Sequence, residues 1–490
     1  MNDLLPPILS RLLSQTPELS EAHLVGGCVR DWLLGTPVKD FDIEVFGVRY
    51  PELLRSLERW GRVDCVGRSF GVIKLTVAPG ETYDFSLPRR DSKVGPGHRG
   101  FEVQVDPDLT PAEAAARRDF TINALLWNVR RSTLLDPFHG QDDLRGGILR
   151  HTSPAFVEDP LRVLRGMQFA ARFRLTAVPE TLALCRSIVS SHAELAVERL
   201  RDEWFKWAAQ AVEPSAGLRF LRDSGWAVHY PEVTALIGVP QDPEWHPEGD
   251  VWIHTLHALD ALVRLPAWRD ADRPTRIVLS LATLAHDFAK PACTRRELRE
   301  GRERIISPGH EAAGGPLAEA FLTRLQVPQD WIVRILPLVT HHLAHLQEPT
   351  PRSVRRLAHR LAPATIEELG TVITADASGR PPRPAGEPPG WIRLKSMAAQ
   401  MTLSAQSPKP ILQGRHLIER GMVPGPEFGP LLTAAFEAQL DGAFADLAGA
   451  VTWFEATRGS RLDSAGTRTT LGTFPAGNPD TPTSPRTEAL

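Results

Sequence analysis

Cysteine is scarce in this 490-residue chain: Cys28, Cys65, Cys185 and Cys293 stand far apart with no CxxC pairing. That excludes a disulfide framework and a zinc ribbon, and it fits a reducing cytoplasm. Long apolar runs are missing as well. No stretch approaches the roughly 18 uncharged apolar residues of a membrane span. The opening MNDLLPPILSRLLSQTPELS has no basic segment leading into an apolar one, so a soluble cytoplasmic protein that is not exported is expected. Charge of one sign is not in excess, with 56 basic against 59 acidic side chains and a net charge of -3. Any binding to RNA therefore rests on a local basic surface, not on global basicity. No repeat of fixed period is present.

What is present is an ordinary globular composition, 42% hydrophobic and 23% charged. The length exceeds what one core supports, roughly 250 to 300 residues, so two or three domains are expected. From His23 to about Val129 short apolar runs alternate with turn residues (HLVGG, FDIEVFGV, GVIKLTV, TYDFSL, FEVQV), which predicts a small mixed sheet with helices beside it. Beyond about Gly147 the strand-like runs stop, and stretches such as PLRVLRGMQFAARF carry apolar residues at helical spacing. The fold class is therefore α+β, a mixed head followed by an almost wholly helical remainder. Pro- and Gly-containing seams fall near 231–249 and 378–390, and a Thr/Pro/Ser/Gly-rich tail from about Ser464 is expected to be disordered.

The segment LVGGCVRDWLLGTPVKDFDIEV combines three chemical elements. A strand runs into Gly26-Gly27, where a backbone without side chains can approach phosphate, and a helix begins with Arg30 in its first turns. A second strand carries Asp40 and Asp42, two apart and so on one face. Such carboxylates can converge on a pair of divalent ions, Mg²⁺ by chemistry, that activate an RNA 3′ hydroxyl and neutralise a pyrophosphate leaving group. Taken singly, the pieces also fit a plain turn and two solvated acids. Together they resemble the DNA polymerase β superfamily, and GGCVRDWLLG followed by KDFDIEV resembles the class II tRNA nucleotidyltransferase and bacterial poly(A) polymerase family.

Further segments match that family in order. ARRDFTINALLWN at 116–128 resembles a motif whose arginine helps hold the triphosphate, which points to Arg118. EDPLRVLRGMQFAARF at 158–173 resembles the motif that replaces a nucleic-acid template. Asp159 and Arg162, three apart on a helix, share a face, and a carboxylate beside a guanidinium can pair with a base edge. The resemblance implies that these two select CTP or ATP, that Gly27, Arg30 and Arg118 cradle the triphosphate, and that Arg165 contacts the nucleotide. Gln168 stands where the family commonly has a further arginine. RRDSKVGPGHRGFE at 89–102 has the composition of a mobile loop, with Arg90 and Lys93 as residues to test; the family uses a loop here in switching from C to A addition. Asp84 is a third candidate carboxylate.

A second constellation runs through WHPEGDVWIHTLHALDAL, LSLATLAHDFAKP, PGHEAAGG, VTHHLAHL and TADASGR. His286-Asp287 sits in an apolar helical run, where adjacent polar side chains need partners or a metal. With His254 and Asp376 they form the order H, HD, D, and His310 and His342 are candidates for a second ion. This resembles the HD phosphohydrolase superfamily and implies hydrolysis of phosphoesters, including cyclic phosphates at RNA ends, with Ni, Mn, Co or Fe bound. Residues 411–432 resemble family tail helices, and the arginines at 352, 355, 356 and 360 fit a solvated face.

The resulting expectation is an N-terminal extension (1–22), a nucleotidyltransferase head (23–148), a helical neck that selects nucleotide and binds RNA (149–240), an HD phosphohydrolase-like domain (241–380), a helical tail domain (381–462) and a disordered end (463–490). The favoured function is synthesis or repair of the CCA end of tRNA from CTP and ATP. Alternatives are CC-only, A-only or poly(A) addition, a hydrolase whose head only binds RNA, and a sensor without catalysis.

Overall fold

The computed structural model of the chain describes residues 1–38, 40–65, 71–93 and 101–465, with the side chains of 91–93, 101–103 and 459–465 outside that description. The amino-terminal third is built on nine strands: β1 (Ala22–Val25), β2 (Asp42–Val45), β3 (Arg62–Asp64), β4 (Val72–Ala78), β5 (Glu81–Ser86), β6 (Arg89–Lys93), β7 (Phe101–Val105), β8 (Leu126–Asn128) and β9 (Thr133–Leu135). Seven make one mixed sheet in the order β3-β4-β5-β2-β1-β8-β9. Only β2 and β5 run parallel in it, with Asp42 opposite Asp84, Ile43 opposite Phe85 and Glu44 opposite Ser86.

Alternation along these short strands sends Leu24, Ile43, Val45, Ile73, Leu75 and Phe85 to one core, all essentially without exposure. The helix Pro7–Gln15 closes that core with Leu9, Leu12 and Leu13, so the stretch expected as an extension is an integral part of the head. On the other side of the sheet Val25, Phe46, Ala114, Ala115, Ala124 and Leu126 form a smaller cluster.

Residues 89–93 differ from the loop expected at 89–102, while FEVQV is a strand as its apolar run predicts. β6 and β7 form an antiparallel ribbon, Arg90 opposite Gln104, and 94–100 lie outside the described residues. The charged run RRDSK hid the first of these strands, because it lacks the apolar alternation by which strands are read. Arg90 donates through Nε to Asp106 at 2.9 Å, and the side chain of Lys93 lies outside the described residues.

Beyond residue 147 helices dominate, as the periodicity predicts, with two departures. Ile148–Leu149 pairs with Thr176–Ala177 in a two-residue parallel contact. More substantially, Arg295–Arg299 and Arg302–Ile306 form an antiparallel hairpin. Its two-residue turn, Glu300-Gly301, has φ of 50° and 75°, the positive pair demanded by a type I′ turn. The charges of RRELREGRERI masked it.

The helix Leu161–Phe173 packs against Pro214–Asp223 at close range: a Cβ on Gly166 would lie 2.6 Å from the Phe220 ring. Residues 1–350 with 357–407 make one compact unit, and 351–356 with 408 onward make a second. Thus the seams read near 231–249 and 378–390 lie inside the first unit. The second unit has its own core of Leu412, Leu417, Leu431, Phe444 and Phe454. There Arg352 and Arg356 donate to Asp441 and Arg355 to the Leu440 carbonyl, so these arginines hold helices together instead of facing solvent unpaired. Residues 463–465 end the helix Leu447–Ala465, and 466–490 lie outside the described residues.

Candidate active site

β1 leads into Gly26, whose φ of 70° and ψ of -125° only glycine adopts readily. A side chain here would also collide: its Cβ would lie 2.8 Å from Arg118 Nη1. The close approach lets Arg118 lie against the turn that starts the helix Gly27–Leu33. Within that helix Arg30 is only 4% exposed. It donates to Asn123 Oδ1 at 2.5 Å and to Asp31 Oδ1 at 2.7 and 2.9 Å, with the Phe173 ring 4.5 Å from its guanidinium carbon. A guanidinium so clamped keeps its orientation before any ligand arrives.

The two aspartates need one correction. β2 begins at Asp42, so Asp40 is in the connection before the strand, because ladder pairing with β5 starts only at Asp42. The predicted alternation still holds: Phe41 is buried while Asp40 and Asp42 are exposed. Both line a cleft of about 620 Å³ together with Gly27, Arg30, Arg118 and Asp159. Asp84, the register partner of Asp42, joins both aspartates around a neighbouring cavity of about 650 Å³ and lies 3.3 Å from Lys74 Nζ. Although Asp42 keeps solvent contact, the protein atoms packed around it in the cleft strip enough water to push its carboxyl above the usual range; Arg118 opposes this, and Asp84, Asp40 and Glu44 add to it.

Glu44, fully buried on β2, was not singled out in the sequence. Its carboxylate accepts from Arg117 Nη2 at 3.1 Å and Arg118 Nη2 at 3.3 Å. Burial works against its ionisation, yet the two guanidiniums outweigh it and keep the group below its ordinary value. Asp119 was missed too. Only 6% exposed, it accepts from Phe120 N at 2.8 Å, Asn123 Nδ2 at 2.9 Å and Arg165 Nε at 2.6 Å. Burial again opposes charge, and Arg165 with Asn123 prevails, leaving Asp119 below its usual range. The signal is in the sequence: Asp119 and Asn123 lie four apart inside ARRDFTINALLWN, next to Arg118. Arg30, Asn123, Asp119 and Arg165 form one continuous polar chain along the cleft.

Asp159 and Arg162 line the same cleft but do not share a helix. The helix starts at Leu161, and Asp159 is extended, with φ -113° and ψ 98°. It precedes Pro160, whose ring disfavours helical geometry in the residue before it. Asp159 Oδ1 accepts from Leu161 N at 3.2 Å and Asp159 Oδ2 faces Arg199 Nη2 at 3.3 Å. Arg162 donates to the carbonyls of Ala155 at 2.8 Å and Arg117 at 2.6 Å. Gln168 also lines the cleft, and its buried Oε1 has no hydrogen-bond partner among the described residues.

The second constellation assembles completely. His254, His286, Asp287, His310, His342 and Asp376 are all buried. Asp287 lies at the centre, 3.2 Å from His286 Nε2, 3.3 Å from His310 Nε2 and 3.8 Å from His254 Nε2. Asp376 Oδ1 is 3.1 Å from His254 Nε2, and His310 Nε2 is 3.3 Å from His342 Nε2. His286 and Asp287 follow the helix Arg273–Ala285 instead of lying within it, so their side chains leave the helix axis at its end and meet residues from four other segments.

Every one of the four imidazoles is held through Nδ1: His254 by Glu248 Oε1 at 2.8 Å, His286 by Thr283 O at 2.7 Å, His310 by Ser307 O at 2.6 Å and His342 by Val339 O at 2.7 Å. In the neutral rings that pattern favours the proton on Nδ1 and turns the four Nε2 atoms inward, as metal-binding imidazoles require. Among the described residues, His254 Nε2, His286 Nε2 and both Asp287 oxygens make no well-aligned hydrogen bond; their close neighbours are one another, Asp376 and the Lys290 ammonium, an arrangement of buried donor atoms that a cation would complete. Within the group, His254, His286 and Asp287, and separately Asp287, His310 and His342, have ligand atoms close enough to share an ion. Burial resists charge on Asp287, but His286 and Lys290, whose Nζ is 2.8 Å away, hold it well below the carboxylate range. Burial and His286 lower His342 to about 3, keeping that ring neutral.

The profile of the poly A polymerase head domain matches residues 22–150. The multifunctional CCA protein of Nitrosococcus oceani is 37% identical over 369 residues, covering 74% of this chain and 85% of the relative. The one from Xanthomonas euvesicatoria pv. vesicatoria is 37% identical over 437 residues, covering 86% and 98%. Among solved structures, the Bacillus stearothermophilus CCA-adding enzyme in complex with CTP superposes with a TM-score of 0.61 at 20% identity, covering 94% of this chain and all of that one. The Thermotoga maritima CCA-adding enzyme complexed with tRNA gives 0.58 at 19%, covering 93% and 97%. At such identities the structural matches speak for the fold alone.

Proposed function

Because this chain belongs to the class II CCA-adding enzyme family, we propose that it builds or repairs the 3′-terminal CCA of tRNA from CTP and ATP at the Asp40–Asp42 cleft, and that its histidine cluster is a phosphohydrolase centre. The observation that carries the first part is the single cleft in which two exposed carboxylates face Arg30, Arg118, Asp159 and Arg162.

The crowding of Asp40, Asp42 and Asp84 around adjoining cavities, with Asp42 pushed up by burial and by those neighbours, suits Mg²⁺. Bound there, Mg²⁺ supplies charge neutralisation and activates the attacking hydroxyl. Asp40 and Asp42 are its holders, with Asp84 beside them. Arg30 and Arg118 face the triphosphate, and the Gly26-Gly27 turn lets its oxygens come near. Glu44 fixes Arg118, and Asp119 fixes Arg165. Asp159 offers an acceptor and Arg162 donors to the edge of the incoming base, a complementarity able to tell cytosine and adenine from guanine and uracil. To do so Arg162 exchanges the carbonyls of Ala155 and Arg117 for the base. Purified protein given tRNA lacking its CCA end, Mg²⁺, and CTP, ATP or both reads this directly; no extension under any mixture overturns the proposal, and the product lengths separate CCA from CC, A or poly(A) addition.

In the histidine cluster, the inward-facing Nε2 atoms and carboxylate oxygens suit a transition metal such as Ni, Mn, Co or Fe. His254, His286, Asp287 and Asp376 would hold it, and His310 and His342 would complete a second position. The metal supplies Lewis acidity toward a phosphoester, including cyclic phosphates at RNA ends. Release of phosphate or ring opening that is lost in Asp287→Ala, with transferase intact, is the expected result.

A further inference from the structure

Two helices, Leu161–Phe173 and Val197–Gln210, border the cleft of Asp40 and Asp42 side by side. Both run the same way. Arg199 Nη2 meets Asp159 Oδ2 at 3.3 Å where they begin, and Val212 N donates to the Ala171 carbonyl at 3.0 Å where they end. That register sets Lys206 level with the turn from Arg165 to Gln168, and all three side chains line the cleft. The direction decides which part of a nucleotide lies there. Asp159 and Arg162 sit at the starting end, whereas Arg172 Nη2, at the far end, is 3.5 Å from Asp31 Oδ2, and Asp31 is the residue that clamps Arg30. Lys206 follows Arg199 by about two turns, or 10 Å along the axis, and so lies beyond the base-selecting pair, on the side of Arg30.

A buried acid holds this lysine in place. Glu203, only 2% exposed, accepts from Lys206 Nζ through Oε1 at 2.7 Å, while its Oε2 makes no hydrogen bond among the described residues. A carboxylate out of water needs a cation beside it, so the pair keeps the ammonium at this point of the cleft. An ammonium carries three donors, of which the bond to Glu203 uses one. The Lys206 side chain remains 38% exposed where it borders the cleft. At the same level Gln168 brings no charge, although the family commonly has an arginine there.

We infer that Lys206 is a further nucleotide-binding residue, its ammonium taking a phosphate oxygen of the incoming CTP or ATP in place of the arginine that Gln168 replaces, and that Glu203 positions it. This rests on the transferase proposal above. A lysine ammonium is a compact point charge that binds phosphate without the fixed fork of a guanidinium. It therefore contributes equally whichever base the triphosphate carries, unlike Asp159 and Arg162.

The full-length protein is titrated calorimetrically with CTP and with ATP in Mg²⁺, without tRNA. Lys206→Met is expected to raise Kd for both nucleotides about tenfold, the loss of one charge-assisted hydrogen bond, and by the same factor for each. Lys206→Arg should keep most of the affinity, and adding Gln168→Arg to Lys206→Met should recover it. Because Lys206→Met strands a buried carboxylate, the double variant Glu203→Gln with Lys206→Met removes both charges together, and it should show the same loss with its fold intact by circular dichroism. Unchanged Kd in that double variant overturns the inference, as does a loss confined to one nucleotide or one that Gln168→Arg does not recover. Wild type that binds both nucleotides with this dependence but extends no tRNA overturns the transferase proposal and leaves the phosphate contact standing; wild type that binds neither nucleotide overturns both.

Discussion

Replacing Asp119 by Asn tests whether the cleft is organised by the buried polar chain described above. The side chain keeps its shape, so Phe120 N and Asn123 still find an acceptor oxygen, while the 2.6 Å bond from Arg165 Nε meets a neutral amide. A hydrogen bond to a charged partner contributes about 1.5 to 3 kcal/mol. Removing one member of a fully buried pair costs about 3 to 5 kcal/mol, but the Arg165 side chain is 34% exposed and water recovers part of that. The expected loss is about 2 kcal/mol at pH 7. The pH dependence gives the sign. Asp119 is held below its unfolded value of about 3.9, so its contribution is complete above that pH and disappears as pH falls through the lower, folded value. Urea unfolding of wild type and Asp119→Asn, followed by circular dichroism from pH 7 downward, should show a gap that closes only below about pH 4. A gap under about 0.5 kcal/mol at pH 7, the size of an ordinary surface change, or one that stays constant with pH, refutes the reasoning. In the same variant KM for CTP and ATP should rise more than kcat falls, since Arg165 loses its anchor.

Four further outcomes are expected. Asp42→Ala should abolish nucleotide incorporation and spare phosphoester hydrolysis, and Asp287→Ala the reverse; one variant silencing both activities contradicts two separate centres. Glu44→Gln leaves Arg117 and Arg118 against a neutral amide and should cost about 2 kcal/mol in chemical unfolding while weakening triphosphate binding by calorimetry; unchanged binding removes Glu44 from the account of Arg118. Stripping transition metal with a chelator should lower Tm of wild type, where saturation at 100-fold over Kd contributes about 2.7 kcal/mol, and leave Asp287→Ala unmoved; an equal response in both argues against the cluster. Gln168→Met removes a buried acceptor without a partner, so stability should hold or rise while KM for the nucleotide rises; unaltered kinetics would mean that the oxygen faces no ligand.

Residues whose chemistry depends on side-chain type and spacing were legible in the sequence. The order H, HD, D located four groups and the neighbouring histidines His310 and His342 two more, which the fold gathers at Asp287, and DFD located the carboxylates of the cleft. What stayed hidden depends on the backbone. Three of the four bonds that set the imidazole tautomers end on carbonyl oxygens, of Thr283, Ser307 and Val339, and a carbonyl carries no residue signature. Helical spacing alone puts Asp159 on the helix of Arg162, but Pro160 disfavours helical geometry in the residue before it and so overrides the spacing. The charged hairpin at Arg295–Ile306 escaped because strands were sought by apolar alternation, although its Glu-Gly turn was in view. Glu44 and Asp119 sat inside motifs already quoted, beside arginines whose need for a buried counter-charge was the missing step.

The order of strands bears on how the head comes into being. β1 lies between β2 and β8, and β8 begins at Leu126, about a hundred residues after β1 ends. At roughly 5 to 20 residues per second of synthesis, that flank of β1 waits some 5 to 20 seconds for its neighbour, while Leu9, Leu12 and Leu13 already need a sheet to cover them. The nascent chain is thus most vulnerable to sticking to other chains in this interval, and slowing translation between codons 46 and 125 should lower the soluble yield.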